Sequence, residues 1–230
     1  VCGGYAHHYL PTFKQPEVRM MLVSYAAMEA VHQEAYSLLL ETLGKSEEMY
    51  QEFFDIHAMM EKHEYLQDFS MKTPFDMAKT MAVYSAFTEG VQLFSSFAIL
   101  LNYPRHNLMK GMGQIVTWSI RDESLHVEGL SKLFRTFMQE NPELWTDKLK
   151  YEIYCAAEKT VELEDNFIDI CFDKADVPDL TAKEVKEYIR YIADRRLLGI
   201  GMKKIFHSTE NPLPWIDMQV NAVEHTNFFE

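Results

Sequence analysis

The chain has 230 residues, of which 47% are hydrophobic, so it is long enough and apolar enough to bury a sizeable core. Its formal net charge is −13, from 35 acidic and 22 basic residues. This balance argues against a nucleic-acid surface, which needs clustered lysine and arginine. The three cysteines, Cys2, Cys155 and Cys171, show no C-x-x-C spacing. We therefore expect reduced thiols and a cytoplasmic location.

Apolar residues recur at helical spacing along the sequence, and runs with the two-residue period of a strand are absent from it. Several predicted helices approach or exceed about 25 residues, whereas the mean helix has about 12. Long helices with short connections indicate one all-α bundle over residues 1–230. The predicted helices cover residues 1–10, which Pro11 closes, then 16–43, 45–67, 73–101, 108–139, 145–175 and 181–205, and a short last helix begins in NPLPWID.

One window resembles a membrane span in length. Residues 81–101, MAVYSAFTEGVQLFSSFAILL, contain Glu89 as their only charged residue. Serine, threonine and glutamine side chains recur through the window, and lipid would leave such groups without partners. We interpret the window as a helix buried in the middle of the bundle, apolar on every side, and we expect no membrane insertion.

Two helices each carry a Glu-x-x-His motif on an apolar face. Glu29 and His32 form the first motif, and Glu123 and His126 form the second. The spacing places both side chains of a motif on the same side of a helix. Glu89 adds a third carboxylate from its apolar window. A single buried Glu or His is usually hydrogen-bonded within a core, but three buried carboxylates would repel one another.

A pair of divalent metal ions would remove this repulsion, because carboxylates bridge hard cations and each histidine caps one ion. A complete site of this type has four carboxylates and two histidines. The sequence supplies three carboxylates, and residues 1–10 contain no Asp or Glu. We expect the fourth to lie upstream of Val1, unless the site is incomplete.

Tyr36 follows His32 by one helical turn and lies on the same face. A buried tyrosine is usually a core residue with its hydroxyl bonded. Beside an oxygen-activating metal pair, it can instead be a redox residue that loses an electron and a proton.

These segments resemble the small, radical-generating subunit of class I ribonucleotide reductase, in the ferritin-like dimetal carboxylate superfamily. MEAVHQEAYS is similar to the first Glu-x-x-His of that family and the radical tyrosine after it. FTEG is similar to the segment with the lone glutamate, and IRDESLH to the second Glu-x-x-His. NPLPWID and VEHTNFFE resemble the closing segments, so the resemblance covers essentially the whole chain.

The resemblance implies a ferritin-like fold, a homodimer and a dimetal cofactor (Fe/Fe, Mn/Mn or Mn/Fe) that reacts with oxygen or superoxide. It implies a stable radical at Tyr36, which passes to the large catalytic subunit and starts the reduction of ribonucleotides to deoxyribonucleotides. Asp122 is implied to hydrogen-bond a ligand histidine and to belong to the radical path, with Arg121 a weaker candidate there. Whether an activating flavoprotein takes part stays open. The implied metal ligands are Glu29, His32, Glu89, Glu123 and His126.

A stable phenoxyl radical requires a dry pocket that excludes water and reductants. Leu93 and Phe97 follow Glu89 by one and two helical turns, so we expect them to line such a pocket around Tyr36. Ser119 is more polar than the residue that the family usually places there.

The chain departs from the family pattern at both ends. The first metal carboxylate of the family and the tryptophan that starts its radical path would lie upstream of Val1. The C-terminal tail that docks on the large subunit would follow Glu230. We therefore expect that the 230 residues as given cannot complete a six-ligand site or pass a radical on.

Two other functions fit parts of the pattern. Another ferritin-like dimetal protein, either an oxidase without a stable radical or an iron-handling protein, would use the same ligands. A metal-free helical scaffold would bind no metal, and would tolerate Glu89→Ala because an unpaired buried charge would be gone.

Overall fold

The computed structural model describes residues 2–65 and 70–221, apart from the side chains of Cys2 and residues 52–54. Within these ranges the chain is helical and has no strand, so the all-α prediction is confirmed. The segment VEHTNFFE lies outside the described residues. In chain order the helices are α1 (Cys2–Gly4), a π-helix (Tyr5–Tyr9), α2 (Leu10–Thr12), α3 (Pro16–Thr42), α4 (Glu48–Asp55), α5 (His57–Tyr65), α6 (Pro74–Val83), a second π-helix (Tyr84–Thr88), α7 (Phe94–Arg105), α8 (Lys110–Glu140), a 3-10 helix (Pro142–Leu144), α9 (Asp147–Lys174), α10 (Ala182–Gly199) and α11 (Pro214–Asn221).

Threonine side chains cap the starts of three helices, α6, α9 and α10. Thr73 and Thr181 form capping boxes with the side chains of Asp76 and Glu184, which satisfies free amides at the first turns of α6 and α10. Thr146 accepts a hydrogen bond from the Leu149 amide at the start of α9. These caps are local sequence signals, and the predicted starts of these helices agree with them.

Four of the predicted helices are wrong in part: two end at a different residue, and two are interrupted. Pro11 lies inside α2, which continues to Thr12. The predicted helix over 45–67 is two helices, because the Ile56 carbonyl accepts the Met59 and Met60 amides and starts α5 anew. The predicted helix over 73–101 is interrupted by the second π-helix and by turn residues 89–93.

The helix predicted to reach residue 205 ends at Gly199. Gly201 has a positive φ of 83°, a backbone conformation that glycine adopts without a steric penalty. The Met202 amide then donates to the Leu197 carbonyl, as in a glycine-terminated helix end.

Helix α8 lies at the centre of the bundle, where it packs against α3, α6, α7 and the second π-helix. Residues 81–92 are all buried, which confirms that the apolar window is an interior segment. In the described ranges, no helix has the length and hydropathy needed to cross a membrane. The fold therefore brings α3, α8 and the end of the second π-helix together around one point.

Candidate metal centre

Three elements supply the candidate ligands. Helix α3 presents Glu29 and His32, helix α8 presents Glu123 and His126, and Glu89 lies just past the second π-helix. Four of these side chains are almost fully buried, at 8% exposure for Glu29, 0% for Glu89, 1% for Glu123 and 0% for His126. Burying this many ionisable groups without partners is costly, so the arrangement indicates a bound counter-charge.

The ligand atoms of these four residues lie within 4.8 Å of one another. His126 Nδ1 is 3.3 Å from Glu29 Oε1, 3.4 Å from Glu123 Oε2 and 3.5 Å from Glu89 Oε2. These separations exceed the 2.7–2.9 Å of a charge-assisted hydrogen bond. A single imidazole nitrogen also carries at most one proton, so it can donate to only one of the three carboxylates.

The atoms that face one another in this cluster are also the ones left without hydrogen bonds. Glu29 Oε1, Glu89 Oε2, Glu123 Oε2 and His126 Nδ1 have no hydrogen-bond partner among the described residues. Buried polar atoms are nearly always paired, and each exception needs an explanation. Oxygen and imidazole donors around a shared centre suit iron or manganese, so the residues fit the implied metal pair.

His32 is the fifth candidate ligand, and it lies beside Glu29 and Glu123. Its Nδ1 lies 3.5 Å from Glu123 Oε1 and 3.8 Å from Glu29 Oε1, and its ring centroid is 6.4 Å from that of His126. Its other nitrogen, Nε2, lies 3.0 Å from Asp122 Oδ2. Such a contact orients an imidazole and raises its basicity, as carboxylates do behind metal-bound histidines.

Without bound metal, the side chains of the cluster have shifted pKa values that favour protonation of Glu89, His32 and His126. Burial raises the pKa of Glu89 to about 8. Burial acts in the same direction on Glu123, but the neighbouring imidazoles of His126 and His32 lower the pKa of Glu123 to about 2. Burial lowers the pKa of His126, and its three carboxylate neighbours outweigh this and raise it to about 11. The neighbouring Glu123 carboxylate contributes most to raising the pKa of His32 to about 9.

These values predict a pH effect for Glu89→Gln in chelator-treated protein. The Glu89 pKa rises from 4.5 unfolded to about 8 folded. The folded chain therefore keeps a proton that the unfolded chain loses, and the free energy of unfolding falls as pH rises across that window. The side-chain amide of glutamine does not titrate, so Glu89→Gln does not lose stability as the pH rises. Its free energy of unfolding should exceed that of wild type at pH 8 by on the order of 1–3 kcal/mol.

Urea unfolding with EDTA at pH 5 and pH 8 measures this difference, which should be small at pH 5. Glu34→Gln, which alters an exposed carboxylate on α3, is the matched control and should show no such pH dependence. Equal stability of Glu89→Gln and wild type at pH 8 would contradict the prediction.

Tyr36 lies beside this cluster, in a cavity of about 590 Å³ whose walls include Glu29, His32 and Glu123. Leu93 and Phe97 line the same cavity, where the sequence predicts them. The Tyr36 hydroxyl donates to Ser119 Oγ at 3.1 Å. Burial raises the pKa of Tyr36, which keeps the phenol protonated at neutral pH. The tyrosine is only partly buried, however, so its pocket is less dry than expected.

Two contacts of the site were not predicted. Tyr5, fully buried in the first π-helix, donates from its hydroxyl to Glu89 Oε1 at 2.6 Å. The described N-terminal residues thus place a phenol beside the cluster. The only sequence signal was the spacing of Tyr5 and Tyr9 on one helical face. Arg121 donates to the Val220 carbonyl of α11, which ties the last described helix to α8.

Comparisons with known proteins agree with the family that the sequence segments resemble. A family model described as "Ribonucleotide reductase, small chain" matches residues 3–212. All of this chain aligns, at 44% identity over 248 residues, with a protein of Invertebrate iridescent virus 3 named "Probable ribonucleoside-diphosphate reductase small subunit 048L". The chain covers 66% of that protein, so it spans about two thirds of the length of this relative.

Two solved structures share the fold. A protein from Bacillus halodurans assigned to class I ribonucleotide reductase has a TM-score of 0.87 and 24% identity, over 95% of this chain and 80% of that one. Dimanganese(II)-NrdF from Streptococcus sanguinis has a TM-score of 0.76 and 24% identity, over 91% of this chain and 73% of that one. The predicted helical bundle is confirmed by both.

Proposed function

Because this chain belongs to the ribonucleotide reductase small-chain family, we propose that the protein binds two metal ions in this cluster and carries a radical at Tyr36. The observation that carries this proposal is the set of four mutually facing, buried ligand atoms without hydrogen-bond partners. The proposed metal ligands are Glu29, His32, Glu89, Glu123 and His126.

The proposed metals are iron, manganese or one of each. Carboxylate and imidazole donors suit both elements, and availability often decides between them. The Streptococcus sanguinis protein with a similar fold is described as dimanganese(II)-NrdF, which supports manganese as the metal. The proposed oxidant is oxygen or superoxide, with an activating flavoprotein as a further proposed partner.

When bound, the metal pair would supply the oxidising power for removing one electron from a phenol. The chain's own residues prepare that event. Asp122 holds the His32 ring by its Nε2 atom. Ser119 accepts the hydrogen bond of the Tyr36 hydroxyl and so fixes the direction of its O–H bond. Leu93 and Phe97 restrict water around the ring.

We further propose that the radical passes to the large catalytic subunit, where ribonucleotides are reduced to deoxyribonucleotides for DNA replication. Arg121 and Asp122 directly precede Glu123 on α8, where Asp122 contacts His32 and Arg121 donates to the Val220 carbonyl of α11. Their position supports a role for Asp122 in the radical path, with Arg121 secondary. The unpaired thiols of Cys155 and Cys171 support a cytoplasmic location.

The test is reconstitution of the full-length protein, first with Fe²⁺ and oxygen and then with Mn²⁺ and superoxide. The expected result is two bound metal ions per chain and an organic radical in the electron paramagnetic resonance spectrum. Metal binding and oxygen consumption without any radical would instead indicate a dimetal oxidase. Absence of bound metal under every loading condition would indicate a scaffold.

The outer face of α3 supports the proposed homodimer. Met20, Val23, Val31 and Leu38 are 64%, 54%, 65% and 59% exposed, and their spacing aligns them on the side of α3 opposite Glu29. An exposed apolar stripe of this kind marks an interaction surface.

We expect Val23→Glu to weaken the homodimer by ~100-fold or more, because a charge would be buried in an apolar interface. Sedimentation velocity over a concentration series measures the change. Leu198→Glu, at an exposed apolar position on α10, is the matched control and should leave the dimer intact. A Val23→Glu protein that sediments as wild type would contradict the dimer face.

A further inference from the structure

The five residues that follow the second π-helix, 89–93, form a turn between Glu89 and α7; we call this the Glu89 turn. Its backbone hydrogen bonds do not keep a single register, although the Val91 and Gln92 amides both donate to the Phe87 carbonyl. The Glu89 amide donates five residues back, to Tyr84, whereas the Phe94 amide donates three residues back, to Val91. In an α-helix, the Phe94 amide would instead bind the Gly90 carbonyl. The change of register therefore frees that carbonyl.

Arg196 of α10 takes the place of the missing amide. Its Nε donates to the Gly90 carbonyl at 3.0 Å, and its guanidinium lies 5.1 Å from the centre of the Phe94 ring. Only glycine allows this approach, because a Cβ at position 90 would lie 2.8 Å from Arg196 Nε and 2.3 Å from the Ala86 carbonyl oxygen. Arg196 thus holds the first part of the Glu89 turn and the first residue of α7.

A buried ion pair holds the other part of the turn. Lys62 of α5 donates to the Gln92 carbonyl at 2.8 Å, and it also pairs with Glu164 of α9. Glu164 has no exposed surface, and its second oxygen accepts a hydrogen bond from Ser95 in the first turn of α7. Lys62 and Glu164 therefore tie Gln92 and Ser95 to two further helices.

We propose that Arg196 and the Lys62–Glu164 pair act as a clamp that fixes the Glu89 turn and, through it, the direction of the Glu89 carboxylate. They are positioning residues, and this role rests on the proposed metal-binding function. The backbone leaves the Gly90 carbonyl without its α-helical partner, and an external donor at that carbonyl favours one of the accessible conformations of the turn. The same turn leads into Leu93 and Phe97, so the clamp also sets one wall of the Tyr36 cavity.

Arg196→Met tests the clamp, with Arg195→Met as its matched control. Arg195 is exposed, lies one residue away on α10 and carries the same charge. Arg196→Met is expected to lower Mn²⁺ affinity ~10-fold, the effect typical of residues that orient a metal ligand. It should also speed amide hydrogen exchange in residues 84–95 of the metal-free protein, with α9 unchanged. Arg196→Lys, which keeps a donor for the Gly90 carbonyl, should restore most of the affinity.

A second variant removes the other arm without leaving a buried charge unpaired. Lys62→Met/Glu164→Gln is expected to give the same local increase in exchange and a similar loss of Mn²⁺ affinity. Wild-type affinity and exchange in both variants would overturn the clamp. Faster exchange throughout α9 as well would also overturn it, since the effect would then be general destabilisation.

Failure of the proposed function and failure of the clamp give different experimental results. A wild-type protein that binds no Mn²⁺ or Fe²⁺ would overturn the proposed function and with it the positioning role. Hydrogen exchange of the metal-free variants would still decide whether these side chains hold the turn. Metal binding by wild type that is unaffected by either variant would overturn the clamp alone.

Discussion

Tyr36→Phe is expected to abolish the radical signal of the reconstituted protein while leaving its two metal ions in place. The substitution removes only the hydroxyl that donates to Ser119, and it leaves all five candidate ligands intact. Phenylalanine is much harder to oxidise by one electron, because it has no O–H proton to lose. Activity with the large subunit should fall to background. Electron paramagnetic resonance and metal analysis of the same samples measure both outcomes.

Tyr25→Phe is the matched control for this experiment. Tyr25 is a second tyrosine of α3, it is buried, and its ring centroid lies 4.4 Å from that of His126. Its hydroxyl donates to the Leu125 carbonyl, away from the Tyr36 cavity. The radical should persist in Tyr25→Phe. A radical that survives in Tyr36→Phe, or that disappears only in Tyr25→Phe, would assign the signal to another residue.

Glu123→Ala is expected to have the largest effect on metal binding. One oxygen of Glu123 lies 3.5 Å from His32 and the other 3.4 Å from His126, so this carboxylate faces both candidate histidine ligands. We expect the metal content to fall from two ions per chain to one or none. Metal should then raise the midpoint of thermal unfolding less than it does in wild type, where each site filled at 100 times its Kd stabilises the folded protein by about 2.7 kcal/mol.

Glu128→Gln provides the control, because Glu128 is an exposed carboxylate on the same helix. It should keep two metal ions and the full thermal shift with Mn²⁺. Circular dichroism should show that Glu123→Ala remains helical, since His126 keeps the carboxylates of Glu29 and Glu89 as neighbours. If Glu123→Ala bound metal as wild type does, Glu123 would not be a ligand.

The local part of the site could be predicted from the sequence. Glu29, His32 and Tyr36 share one face of α3, and Glu123 and His126 share one face of α8, because the geometry of an α-helix fixes which residues are neighbours. The interior position of Glu89 followed from its apolar surroundings, and the structure confirms it. Threonine caps likewise act over three residues, so the starts at Thr73 and Thr181 were readable.

Contacts between distant segments could not be predicted in this way. Nothing near Tyr5 indicates that its hydroxyl meets Glu89, and nothing near Arg196 indicates that it binds the Gly90 carbonyl. The interruption of the predicted helix over 73–101 is of the same kind. A single glycine in an apolar run is compatible with a continuous helix, and the contacts that the turn and the start of α7 make with α5, α9 and α10 come from distant parts of the chain.

The sequence by itself determined that this protein is a helical bundle with two Glu-x-x-His faces, one buried lone glutamate and a tyrosine one turn beyond the first histidine. These properties depend on composition and on helical periodicity, which are local. Only the tertiary structure decided that the five candidate ligands meet, that Asp122 lies behind His32 and that the Glu89 turn is held by Arg196 and Lys62. Those outcomes depend on how separate helices pack, and packing selects one arrangement from many that the local pattern allows.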